Sequence, residues 1–270
     1  MIYENLINGH KRFGTDIYNV SAHKLKCDIS KIKDNVVLAP TMKVDFWKEF
    51  NGDIEELYSK YHAISNVKIN ELEFTYITTG MGAPNLVDIV LALGNTNCKN
   101  IIFIGSVGSL DKNINIGDIV IPECSLCGDG VCRYLTEKSL KDSDTFGKQY
   151  YPNKYLTNIA LEITKDICSK ENINYHLAKN FSIDTIFAQF AHIDEIISLG
   201  CNVIEMETAA LFRAAEICNK RTTAIFCVSD NTINNKSLYS GRDEKDKNLK
   251  RYSRYVITPK ILIEILKKIE

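Results

Sequence analysis

Two carboxylates two residues apart, Glu205 and Glu207, stand where an apolar run, Cys201-Asn202-Val203-Ile204, gives way to the Ala-rich segment Thr208-Ala209-Ala210-Leu211-Phe212. In extended backbone, residues two apart point the same way, so both carboxylates would face one side. Two like charges at the end of a buried strand need a partner. Ionised carboxylates accept hydrogen bonds from paired hydroxyls, so a polyol qualifies. A structural reading competes with this: a strand–helix corner with Glu in the first helical turn, where the dipole favours it. Two further apolar runs end in groups capable of chemistry, 101–104 at Gly105-Ser106 and 223–228 at Ser229-Asp230.

The elements that must carry these groups alternate along the chain. Residues 1–35 read as polar and irregular, and 36–39 as a short buried strand stopped by Pro40. Residues 43–60 have mixed helical character, and 73–78 form a strand by alternation and β-propensity. Residues 85–93 read as a helix, with Gly94 as its C-terminal stop. The run 101–104 is apolar throughout, as in a strand covered on both faces. A strand enters at 117–122, followed by a long polar region, 123–153. Helices are expected at 154–170, 190–199 and from the carboxylate corner to about 218, and strands at 177–184 and 223–228. The charged run 241–247 reads as a solvated loop, and a terminal helix spans 258–269. This alternation, without a Pro/Gly/Ser-rich linker or a repeat, predicts a single α/β domain over residues 1–270 with a mainly parallel sheet. In such sheets ligands bind at the carboxyl ends of strands. Three of the strong strands end there in Gly105-Ser106, Glu205–Glu207 and Ser229-Asp230.

Composition narrows the function classes. Of 270 residues, 45% are hydrophobic and 25% charged, within the globular range. A net charge of −1 offers no electrostatic basis for binding nucleic acid or an anionic membrane. No apolar run is long enough to span a bilayer, and the first residues lack the blocks of a signal peptide, so a cytoplasmic location is expected. The nine cysteines are scattered. Cys124-Ser-Leu-Cys127 with Cys132 is the one suggestive spacing, and no further His or Cys follows at finger-like distance. Reduced, structural thiols and no metal site are expected.

Five segments in order, Thr79-Gly80-Met81-Gly82, Gly105-Ser106-Val107-Gly108-Ser109, Gly117-Asp118-Ile119-Val120, Val203-Ile204-Glu205-Met206-Glu207 and Val228-Ser229-Asp230, resemble successive motifs of the nucleoside phosphorylase family. That family holds hexameric purine nucleoside phosphorylases, uridine phosphorylases and methylthioadenosine nucleosidases. Asp129-Gly130 and the stretch Ser182-Ile183-Asp184-Thr185-Ile186-Phe187 look more like the uridine phosphorylase branch. The resemblance implies a three-layer α/β/α domain with a mainly parallel, mixed central sheet. By the same resemblance, Glu207 would hold the ribose 2′- and 3′-hydroxyls, Met206 would pack on the sugar, and Glu205 would share that pocket. Asp230 would protonate or hydrogen-bond the base nitrogen, which favours a purine. Phe187, Ile186, Ser229 and Arg242 would lie at the base. His23 would reach a neighbouring subunit's 5′-hydroxyl.

The nucleophile side departs from the family. Its Gly-Asp-Pro-x-x-Arg segment reads Pro40-Thr41-Met42-Lys43-Val44-Asp45 here, with Thr41 at the Gly and Asp45 at the Arg. A second phosphate Arg is replaced by Phe103. Gly105, Ser106 and Thr41 remain on that side, with Lys60 near the position from which a neighbouring subunit contributes an Arg. Lys43 and Arg242 are other candidate sources of charge. Phosphorolysis of a nucleoside, with phosphate as co-substrate and no organic cofactor, is the first expectation. Hydrolysis, with Asp45 orienting water, and nucleoside binding without catalysis are the alternatives. Family likeness also implies a homo-oligomer, dimer or hexamer, with pockets shared between subunits.

Overall fold

Alternate side chains of the run 101–104 enter two different cores, Ile101 and Phe103 on one side and Ile102 and Ile104 on the other, all fully buried. A strand buried on both faces needs a layer on each side. The computed structural model, which describes residues 2–60 and 62–269, supplies both.

The chain begins with α1 (Ile2–Arg12) and α2 (Ile17–Leu25), then β1 (Asn35–Ala39) and a 3₁₀ segment (Val44–Phe50). β2 (Asp53–Tyr58), β3 (Ala63–Ile69) and β4 (Leu72–Thr78) lead into α3 (Ala83–Leu93) and β5 (Asn100–Ser109). β6 (Ile119–Gly128), β7 (Gln149–Tyr150), α4 (Lys154–Glu171), β8 (Tyr175–Ile183), α5 (Ile186–Gln189) and α6 (Ile193–Ser198) follow. The carboxylate corner joins β9 (Val203–Glu205) to α7 (Thr208–Ile217). β10 (Arg221–Asn231), α8 (Glu244–Tyr252), a π-helical turn (Ser253–Ile257) and α9 (Thr258–Ile269) complete the chain.

Among the described residues, ten strands form one mixed sheet in the order β10-β6-β8-β9-β5-β1-β4-β3-β2, with β7 on β6. β10 also pairs with β5, in parallel, so β10, β6, β8, β9 and β5 close into a ring, and β1 to β4 extend from it as an open wing. On one side α2, α3 and α7 cover the sheet through Leu25, Leu86, Val90, Leu211 and Phe212. On the other, the 3₁₀ segment, α4 and α9 cover it through Trp47, Leu156, Ile261 and Leu262. The α/β/α layering is thus the expected one. No helix among the described residues is long and apolar enough to cross a membrane.

Several local expectations are corrected. Residues 1–35 are not irregular: Asp16 caps α2 by accepting from the Asn19 amide (3.2 Å), and the α1 Tyr3 hydroxyl donates to Leu91 O (2.8 Å). Residues 53–58 of the supposed mixed helical stretch are strand β2. The run 241–247 is a helix start, because Asp243 and Asp246 form a reciprocal capping box that opens α8. Gly94 does end α3, but in right-handed conformation (φ −53°). Its small size is needed elsewhere, since a Cβ there would collide with the Tyr3 hydroxyl.

Candidate active site

The corner between β9 and α7 is held by Glu205, which is 7% exposed. Its Oε2 accepts from the amides of Glu207 (2.7 Å) and Thr208 (2.9 Å), two donors that a helix N-terminus otherwise leaves unpaired. Its Oε1 accepts from Asn180 Nδ2 (2.6 Å), Ser182 Oγ (2.5 Å) and Thr208 Oγ1 (3.0 Å). Ser182 Oγ in turn accepts from the Ala209 amide at 2.9 Å. Both oxygens of Glu205 are therefore engaged by protein donors at the edge of the cleft that it lines. It fixes the corner from which its neighbour projects.

Glu207, 5% exposed, accepts from the amide of Gly82 at 2.6 Å and from that of Met206 at 3.3 Å. Gly82 has φ +94° and ψ 144°, a conformation open essentially to glycine alone, so the motif before α3 exists to aim that amide. Capacity for two further hydrogen bonds remains on Glu207. Burial, and then the charge of Glu205, push its carboxyl up to about 8. Burial raises Glu205 as well, against the pull of its many donors.

Asp230 arrives by a different device. β10 and β5 run in register from Arg221↔Asn100 to Val228↔Val107, then slip by one residue, so that Asp230 lies opposite Gly108. Ser229 is the extra residue of this bulge, and a bulge re-aims the side chain that follows it. A Cβ on Gly108 would approach Asp230 Oδ2 to 3.1 Å, so glycine leaves room for the carboxyl. Ser229 Oγ lies 2.5 Å from Asp230 Oδ1. Burial raises the Asp230 pKa, opposed by that hydroxyl and by the charges of Arg242 and Lys250. Gly108 also pairs with Ile204 of β9, so Ile204, Gly108 and Asp230 form one row across three adjacent strands.

These groups line one cleft enclosing about 760 Å³, its mouth included. Of the residues singled out in the sequence, Glu205, Met206, Glu207, Asp230, Ser229, Ser106, Thr41 and Ile186 line it. Gly105 is buried one position before Ser106, packed against Phe103 and Phe226. Phe187 is 90% exposed and does not line the cleft of its own chain. Nor does Arg242, whose guanidinium staples the loop after β10 by donating to Ser229 O (3.1 Å) and Leu238 O (2.6 Å). His23, on α2 with its Nε2 3.2 Å from Lys26 Nζ, and the exposed Lys60 also lie outside it. Asp45 is exposed and ion-paired to Lys48 (2.7 Å), and Phe103 is core.

Gln189, Leu238, Lys250 and Arg254 line the cleft without having been singled out, and Met81 and Gly108 line it from within two of the family-like segments. Lys250 and Arg254 carried one signal, their separation of four, which puts them on one face of a helix. Elsewhere, Cys127, Asp129 and Cys132 gather with their ligand atoms within 4.8 Å of one another. Asp129 Oδ1 accepts from the amides of Val131 and Cys132 (2.9 Å each), and its Oδ2 from both thiols (3.4 Å each). The triad thus ties a turn beside β6, while Cys124 belongs to a separate apolar cluster.

Residues 50–257 match the sequence model of the Phosphorylase superfamily. Among relatives, the DeoD-type purine nucleoside phosphorylase of Geobacillus stearothermophilus is 23% identical over 158 residues, 57% of this chain and 62% of the relative. That of Hahella chejuensis is 27% identical over 162 residues, 59% and 64%. The chain thus spans less than two thirds of the length of these curated relatives. Among solved structures, uridine phosphorylase from Vibrio fischeri superposes with a TM-score of 0.72 at 18% identity, over 90% of this chain and 95% of that one. Purine nucleoside phosphorylase from Toxoplasma gondii, in complex with immucillin-H, gives 0.70 at 16% identity, over 88% and 92%. Those two likenesses concern the fold.

Proposed function

The chain belongs to the phosphorylase superfamily, and we propose that it cleaves the N-glycosidic bond of a nucleoside, purine favoured, by phosphorolysis to free base and ribose-1-phosphate. The observation that carries this reading is the row Ile204–Gly108–Asp230. It sets the β9 corner and the Asp230 carboxyl two strand spacings, roughly 10 Å, apart along one cleft. Glu207 at the first end accepts from the ribose 2′- and 3′-hydroxyls, and Met206 packs against the sugar. Asp230 at the other end, its pKa raised by burial, hydrogen-bonds or protonates a base nitrogen.

As the bond from C1′ to the base nitrogen lengthens, its electron pair passes to the base and positive charge develops on the ribose. The base leaves with that pair and a proton from Asp230, which solvent replaces. A phosphate oxygen forms the new bond to C1′. The oxocarbenium-like state is stabilised by charge already fixed around the ring, which does not have to reorganise. Hydrolysis loses support from Asp45, whose carboxylate is bound to Lys48 outside the cleft. His23 and Lys60 are proposed to serve the cleft of a second copy, in a dimer or hexamer.

Incubation of the purified protein with inosine, adenosine and uridine, with and without phosphate, tests the reading. Release of purine base with formation of ribose-1-phosphate, dependent on phosphate, is expected. No release from any nucleoside under any condition would leave a nucleoside-binding protein in its place.

A further inference from the structure

We infer that the nucleophile side of the cleft is an oxyanion site rebuilt from the C-terminal helical segment: Lys250 and Arg254 bind inorganic phosphate together with Thr41 and Ser106. This rests on the reading of the cleft as a nucleoside site and names what supplies its second substrate.

Four observations carry it. Lys250 lies in the last turn of α8 and Arg254 in the π-helical turn, four residues on, and both line the cleft beside Thr41 and Ser106. Neither has a carboxylate within ion-pair distance among the described residues, although both are half-buried. An uncompensated pair of cations in a partly desolvated wall is unfavourable until an anion arrives. Donors are also left over. Arg254 Nη2 donates to Thr41 Oγ1 at 2.6 Å, but its Nε is buried without a partner, and the Lys250 ammonium makes no hydrogen bond among the described residues. Burial first, and then the charges of Arg254 and Arg242, lower the Lys250 pKa, against the opposing pull of Cys227 and Asp230. A bound oxyanion relieves the repulsion between the cations. Finally, the segment is pinned rather than loose: Ser253 Oγ donates to Gly117 O and Thr258 Oγ1 to Ser253 O (2.9 Å), which pairs a carbonyl at the π turn.

On the sheet side, Ser106 is in register with Cys227 of β10, and its hydroxyl lies 3.3 Å from that thiol. The hydroxyl hydrogen is free to rotate toward an incoming oxyanion. Thr41 orients the Arg254 fork from the loop after β1. The site therefore joins the ends of β1, β5 and β10 to the C-terminal helix, and the cations come from the helix alone.

The test uses the whole chain with Lys250→Met, Arg254→Met and the double variant, plus Arg254→Lys as a milder probe. Inorganic phosphate is titrated in two independent readouts, base release from inosine and phosphate-dependent thermal stabilisation without nucleoside. Loss of one charge-assisted contact is expected to raise the phosphate KM about 10- to 100-fold, with the inosine KM changed less than about twofold. Phosphate should stabilise the wild type and no longer the double variant. If the wild type releases no base but loses phosphate stabilisation on substitution, the nucleoside reading fails and the anion site stands. Equal phosphate response in wild type and double variant, or none in either, overturns the inference. So does phosphate-independent cleavage of a nucleoside 5′-monophosphate that these substitutions abolish, because the cations would then hold an ester phosphate. If the double variant does not fold, Arg254→Lys decides by the same phosphate titrations.

Discussion

The two walls of the cleft are built on opposite principles. At the β9–α7 corner two carboxylates are almost fully buried, and backbone amides within four residues of them, or from the Gly82 turn, supply their main partners. The wall opposite is half-exposed and has donors to spare: an ammonium without a hydrogen bond among the described residues, a buried guanidinium nitrogen, and a hydroxyl resting on a thiol. The saturated Glu205 network fixes geometry before substrate arrives, and Glu207 keeps the open capacity that it positions. An unsaturated cationic wall gains most of its stabilisation from the ligand. The corner should thus respond to mutation in stability and in turnover, and the cationic wall in affinity for the anion.

The largest expected effect separates the two carboxylates from each other. Glu207→Gln keeps an oxygen for the Gly82 amide but loses the charge facing the ribose, so kcat/KM should fall about 10³-fold with no fall in the urea midpoint. Glu205→Gln should do the reverse. It leaves donors facing an amide group in a buried network, at a cost of about 3 kcal/mol in urea unfolding. Should Glu205→Gln leave the midpoint untouched, the corner would not be the scaffold described.

The same contrast explains what the sequence revealed. Val203–Glu207 is a strand end with its functional group attached, and Gly105-Ser106 and Ser229-Asp230 lie in the C-terminal halves of β5 and β10, so an apolar strand leads directly into each functional group. The apolar strands were legible because burial on both faces leaves few polar positions to blur them. The N-terminal helices were not, because no side chain of α1 is buried and only Ser21 and Leu25 of α2 are. The ring closure depends on β9 pairing antiparallel with β5, and β6 with β10, within an otherwise parallel neighbourhood, which no local pattern encodes. Lys250 and Arg254 were hidden for a related reason. They lie in a stretch so rich in Lys and Arg that it reads as a solvated face, and only the tertiary packing turns two of those cations inward. Phe187, which the resemblance puts at the base, is 90% exposed in the single chain, and no local pattern indicates what covers it.

A pH series sharpens the contrast further. The Glu207 carboxyl is raised to about 8, chiefly by burial and then by Glu205, above the ordinary value of 4.5. Between those values the folded, ligand-free protein holds a proton that the unfolded chain has released. Stability should therefore be highest at the acid end of that window and fall as pH rises through it toward 8. Nucleoside binding that needs the ionised carboxylate should strengthen over the same range. Glu207→Gln should flatten both trends, and Glu205 is the charged neighbour whose replacement should lower the upper limit.

The smallest effect is expected at Thr41, and it is the most specific. Its hydroxyl accepts from Arg254 Nη2 at 2.6 Å in an exposed setting, where a hydrogen bond contributes about 0.5–1.5 kcal/mol. Thr41→Val keeps the shape and β-branching while removing the acceptor, so the guanidinium keeps its charge and loses its orientation. The phosphate KM should rise about 2- to 10-fold, less than for Arg254→Met, with the inosine KM and the urea midpoint unchanged. In the Arg254→Met background the same substitution should add little beyond any contact of its own with phosphate, because there is no fork left to orient. A full, additive loss in the double variant would mean that Thr41 meets the oxyanion independently. The cationic wall would then be a set of separate donors rather than one oriented arm.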